Sequence, residues 1–132
     1  METIFQKYFR TGIVHFMAFP ETVDGKTNIE QTIKKIACDE YFEVIEITWI
    51  EDPDTRKRVK NILESAKIEP VFGAQPVLLK NQLNLNDENT NKRKKSVATI
   101  KECIDQAYSI GAKGISFLSG TYQEQNKHRA FD

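Results

Sequence analysis

Glu46 is the residue whose setting points most directly to chemistry. It stands between Ile45 and Ile47 in the run FEVIEITWI at 42–50, which reads as a β-strand because β-branched and aromatic residues dominate it. Side chains alternate along a strand, so a carboxylate between two isoleucines faces away from both. If the isoleucines pack on helices, Glu46 points to the inner face of the sheet. A buried carboxylate is costly unless it is paired, hydrogen-bonded or used. Glu46 is therefore either a binding-site residue or one half of a structural ion pair.

Three other polar residues fall where strands of a parallel α/β fold end, and there the loops converge on a ligand. His15, in the run GIVHFMAFP at 12–20, shares a strand face with Met17 and Phe19. It is either a ligand contact or a hydrogen-bonded core histidine. Gln75 lies between Ala74 and Pro76, where its amide meets a substrate hydroxyl or the backbone of the loop that follows. Ser119 and Gly120 form the polar exit of a fourth strand, and Thr48 lies two residues after Glu46 on the second. Substrate binding is thus assigned to Glu46, Gln75, Ser119 and His15, with no catalytic residue and no metal ligand assigned. Walker A, GxGxxG, HExxH and GxSxG motifs are absent from the chain, so the spacing gives no support to phosphate-loop, zincin or hydrolase-elbow chemistry.

The elements that hold these residues alternate strand and helix. After the first strand, Asp24 and Gly25 signal a turn. Thr27 to Glu30 has capping-box spacing before a stripe of Ile29, Ile33, Ile36 and Ala37. Asp52 and Pro53 read as an N-cap and first-turn proline for a helix carrying Val59, Ile62, Leu63 and Ala66. A third strand is expected at 70–76, then a long loop at 77–91. Next comes a helix with Val97, Ile100, Ile104, Ala107 and Tyr108 as its apolar stripe, ended by Gly111. A short buried strand at 114–118 completes the pattern, a loop follows, and residues 126–132 read as the start of a truncated helix. The expected fold class is α/β: a parallel (βα)4-type half of a barrel, incomplete at its carboxyl end, with a small doubly wound parallel sheet as the alternative.

The 132 residues suit one domain and fall short of the ~200 to 250 of a closed eight-stranded α/β barrel. The 19 basic and 19 acidic side chains balance, which leaves no global field to draw nucleic acid or an anionic membrane. The basic run Lys92 to Lys95 has no interleaved aromatic residues and reads as a solvated helix face. The apolar run at 12–19 is shorter than the ~20 residues of a membrane span and contains His15. Cys38 and Cys103 are far apart, outside metal-ligand spacing, and are expected to be buried in helices of a cytoplasmic protein.

Several stretches together resemble the xylose-isomerase-like TIM barrels. These are sugar-phosphate isomerases and epimerases whose relatives include metal-dependent abasic-site endonucleases. The matching runs are GIV at 12–14, CDEYFEVIE at 38–46, FGAQP at 72–76 and LNL at 83–85 ahead of Arg93. Ala107 with Gly111-Ala-Lys follows, leading into FLSG at 117–120. The resemblance implies the amino-terminal half of a (β/α)8 barrel. It also implies a sugar or sugar phosphate as the small-molecule partner, with Glu46, Gln75 and Ser119, and less directly His15, on the substrate rim. The family's divalent metal is held by Glu, Asp, His and Glu on strands of the second half, so this stretch alone is expected to bind none and to be inactive. An open half-barrel exposes strand edges, so a homo-oligomer is expected, and a non-catalytic self-associating module is the alternative function. DNA binding of the endonuclease kind ranks third.

Overall fold

The structure is a computed structural model that describes residues 7–122 and 124. Its centre is a four-stranded sheet, wholly parallel, with strands in the order β1-β2-β3-β4. These are β1 (Gly12–Val14), β2 (Val44–Ile47), β3 (Glu69–Gly73) and β4 (Ile115–Ser116). Between β1 and β2 lie α1 (His15–Ala18), a 3-10 turn (Pro20–Asp24) and α2 (Ile29–Ala37). The helix α3 (Pro53–Ala66) joins β2 to β3, and α4 (Gln75–Lys80) with α5 (Thr90–Ser109) joins β3 to β4. Among the described residues no helix is long and apolar enough to cross a membrane.

Register divides the sheet into two unlike faces. Ile13 pairs with Ile45, Ile47 with Phe72, and Phe72 with Ile115, so these side chains share one face. Ile45, Ile47 and Phe72 are fully buried there, in one core with Ile33 and Ile36 of α2, Val59 and Leu63 of α3, Leu78 of α4 and Ile100 and Cys103 of α5. The opposite face carries Val14, Val44, Glu46, Val71, Gly73 and Ser116. Its three valines are half-buried and stand outside that core. All the long helices therefore lie against one side of the sheet.

The local signals that hold are those made within a few residues. Asp52 caps α3 by accepting from the Thr55 amide at 2.8 Å, and Pro53 occupies the first turn. Gly111 follows α5 at φ 76° with its amide on the Tyr108 carbonyl, a left-handed conformation that only glycine adopts freely.

Other expectations are corrected. The first strand stops at Val14, because the chain turns into α1 and the Phe19 amide bonds back to the His15 carbonyl. His15, Met17 and Phe19 therefore do not share a strand face. Thr27 does not cap α2: its hydroxyl and amide both bond Asp24, and the N-cap is Asn28 in a left-handed conformation. Glu30 pairs instead with Lys34 and Arg58. The expected loop at 77–91 opens with α4, since Pro76 presets φ for a first helical turn, and α5 starts at Thr90.

The apolar stripe of α5 is also rotated from the one that hydropathy selects. Its buried positions are Ser96, Ile100, Cys103, Gln106 and Ala107, whereas Val97, Ile104 and Tyr108 are exposed. The cause is satisfied polar groups. Ser96 donates to the Asn84 and Lys92 carbonyls, and the Gln106 amide both accepts from the Ile50 amide and donates to its carbonyl, each at 3.1 Å. Polar side chains with such partners occupy a core at little cost. Cys103 is buried as expected and its thiol pKa is raised to about 11 by that burial. Cys38 is exposed at the end of α2. The truncated helix expected at 126–132 lies outside the described residues.

Candidate functional site

Three side chains meet on the face of the sheet away from α2, α3 and α5, at the carboxyl ends of adjacent strands. Glu46 is brought there by alternation: its neighbours Ile45 and Ile47 are buried among the helices, so the carboxylate projects from the other side of β2. Ser116 ends β4 on the same face and donates to Glu46 Oε1 at 3.2 Å. Gln75, in the first turn of α4 just past β3, donates from Nε2 to Ser116 Oγ at 2.9 Å. A carboxylate, a hydroxyl and an amide thus form one chain of hydrogen bonds across β2, β3 and β4.

Gly73 makes that meeting possible. A Cβ on it would collide with Glu46 Oε1, and would lie 2.8 Å from Gln75 Oε1 and 3.1 Å from Phe16 Cε1. The absent side chain is the space the carboxylate and amide occupy, with the Phe16 ring on one flank. Behind them the Gly73 carbonyl accepts from Thr48 Oγ1 at 2.7 Å, and the Ala74 amide donates to the Ser116 carbonyl at 2.8 Å. These two bonds fix the ends of β2, β3 and β4 relative to one another. Among the described residues the buried Gln75 amide oxygen has no hydrogen-bond partner, which leaves an acceptor uncommitted there beside the carboxylate.

Of the four residues that sequence reasoning assigned to a rim, the structure brings Glu46 and Gln75 together. Ser119 is exposed three residues beyond Ser116 and is not part of the hydrogen-bonded chain. Ser116 takes the position expected for Ser119, and the signal for it was present: like Glu46, it is a polar residue between two apolar ones in a strand, Ile115 and Phe117.

His15 belongs to the opposite layer. It is buried, and its Nε2 lies 2.7 Å from the Thr32 hydroxyl on α2. Thr32 Oγ1 is also within 2.9 Å and 3.0 Å of the Asn28 and Ile29 carbonyls. With the hydroxyl proton directed to those carbonyls, the ring donates from Nε2–H to Thr32. Burial pushes the His15 pKa down to about 4, with Glu21 opposing the shift. The ligand-contact alternative for His15 gives way to the hydrogen-bonded core alternative.

Among the described residues the cluster brings together one carboxylate, one hydroxyl and one amide. The carboxylate and the amide oxygen are hydrogen-bond acceptors, and the aromatic ring of Phe16 lies beside them. The metal that the resemblance implies finds no ligand set among the described residues, where no group of three or more His, Cys, Asp or Glu is placed to hold one. No family model matches this chain. No curated protein matches it either.

Proposed function

We propose that this chain is the amino-terminal half of a xylose-isomerase-like (β/α)8 barrel, and that it supplies the substrate rim of a sugar-phosphate isomerase or epimerase. The observation that carries this reading is the convergence of Glu46, Gln75 and Ser116 over Gly73, at the carboxyl edge of parallel strands, on the face away from α2, α3 and α5. That edge is where barrels of this kind bind their substrates. Strand order supports a half-barrel over a doubly wound sheet. A doubly wound sheet reverses its order at a switch point and carries helices on both faces, whereas here the order runs straight from β1 to β4 and the core lies on one side.

In this reading Glu46 and Gln75 accept from hydroxyl groups of the sugar, and Ser116 holds both side chains in place. The resemblance assigns metal and proton transfer to residues of a second half, so the chain alone binds without turnover. The test is saturation-transfer NMR with a panel of ketoses, aldoses and their phosphates, repeated on Glu46→Gln. Binding in the millimolar range that is lost in the variant supports the rim. Equal binding by both proteins, or metal-dependent turnover by the chain alone, overturns it.

A second reading, self-association, is favoured by Val14, Val44 and Val71. Parallel sheets are covered on both faces in known folds, and among the described residues these half-buried valines lie outside the core that the helices cover. A homodimer or larger species across micromolar concentrations, measured by light scattering, is the expected result, and a strict monomer counts against it.

A further inference from the structure

The Glu46 carboxylate stands in an apolar surround. Its neighbours in register across the sheet are Val14 on β1 and Val71 on β3, which share its face. Phe16, the second residue of α1, closes in from the end of β1. Its Cε1 and Glu46 Oε1 both lie within 3.1 Å of the point where a Gly73 Cβ would stand. Glu46 and Phe16 are half-buried rather than sealed, so the carboxylate and the ring stay open to a ligand.

Nothing in that surround balances the charge. No ion pair among the described residues includes Glu46, and its hydrogen-bond partner there is the neutral Ser116 hydroxyl. The Gln75 amide donates to Ser116 rather than to the carboxylate. Its oxygen, 2.8 Å from the same Gly73 point, is a second acceptor without a partner among the described residues. A lone carboxylate among apolar groups favours an opposite charge brought to it, because the low local dielectric strengthens the attraction. A sugar hydroxyl would meet the hydrogen bond and leave the charge. A primary ammonium meets both, with three N–H donors for the two acceptors and a cation for the flanking ring. We infer that the rim selects an amino sugar, its ammonium group on Glu46 beside Phe16. This inference rests on the sugar-rim reading and names the class of sugar.

Calorimetric titration with glucosamine tests it against two neutral relatives. Glucose is the parent sugar, and N-acetylglucosamine keeps the nitrogen and loses the charge. Glucosamine is expected to bind about tenfold tighter than either. Its advantage should shrink about threefold at ~1 M salt, while glucose is unmoved. Glu46→Gln, which keeps the shape and removes the charge, is expected to erase the advantage. Phe16→Leu is expected to reduce it about threefold with the far-UV circular dichroism unchanged. Equal affinities for the three sugars, all lost in Glu46→Gln, overturn the amino-sugar inference and leave the rim standing. No binding by any of them overturns both. An advantage that survives in Glu46→Gln also overturns the inference, because the amine is then held elsewhere.

Discussion

The two faces of this sheet are built from the same strands and serve opposite ends. On one, Ile45, Ile47 and Phe72 disappear into the helix layer. On the other, one residue along in each strand, Glu46, Val71, Gly73 and Ser116 stay outside that core. A period of two lets strands of two to five residues carry a packed surface and a more open, partly polar surface at once. The difference lies in what each face tolerates. The covered face needs volume and shape, and the open face needs particular polar atoms and, at Gly73, the absence of any.

The comparison is broken most severely at Phe72. Phe72→Ala on the covered face is expected to cost about 3–5 kcal/mol in urea unfolding, whereas Val71→Ala, its neighbour on the open face, should cost no more than about 1 kcal/mol. Equal costs would mean the open face is packed in solution, as self-association requires, and the difference should then reappear on dilution.

Acid tests the covered layer next. The folded chain keeps His15 neutral, with a pKa lowered to about 4, whereas the unfolded chain takes up a proton at its ordinary value of ~6.5. The unfolded state therefore binds more protons between these values, so stability is full above pH 6.5 and falls as pH drops toward 4. The loss should reach the order of 3 kcal/mol, at ~1.4 kcal/mol for each pKa unit. A His15→Gln chain that still folds should show a flat profile across that window, and an unchanged slope would assign it to other groups.

Gln106 is a smaller break. Gln106→Ala strips two hydrogen bonds from the buried exit of β2 at Ile50, although the Ile50 carbonyl retains Arg56 Nη1 at 2.8 Å. A loss of about 1–3 kcal/mol is expected, with Gln106→Leu no better because the Ile50 amide stays unpaired.

The smallest effect on stability sharpens the comparison on the open face. The two atoms nearest a Cβ at Gly73 belong to the ends of flexible side chains, Glu46 and Gln75, and the Phe16 ring at 3.1 Å needs to give only a few tenths of an ångström. Gly73→Ala should therefore cost less than about 1 kcal/mol, because these heads swing aside. A loss of sugar binding without a loss of stability is the expected pair of results, and a collapse of both would place Gly73 in the fold rather than the rim.

Several parts of this molecule were legible from local spacing. Asp52 with Pro53 and Gly111 mark helix ends through bonds to residues one turn away, so their partners were in view. Glu46 was placed correctly because strand alternation needs no knowledge of the rest of the chain. His15 was misplaced because its partner, Thr32, lies on another element. The stripe of α5 was misread because Ser96 and Gln106 find their partners at Asn84 and Ile50, and hydropathy ranks them as surface residues. Ser119 was preferred to Ser116 because the end of a two-residue strand depends on its pairing with β3, where Gly73 meets Ser116.

The sequence by itself determined the alternation of strand and helix, the start of α3, the stop of α5, and the face on which the Glu46 carboxylate emerges. All of these follow from contacts within a turn or from the two-residue repeat of a strand. Only the tertiary structure decided which polar residues are buried, where β1 and β4 stop, and which hydroxyl meets Glu46. Each of those depends on a hydrogen-bond partner or strand register supplied by a distant part of the chain, and no local pattern carries that information.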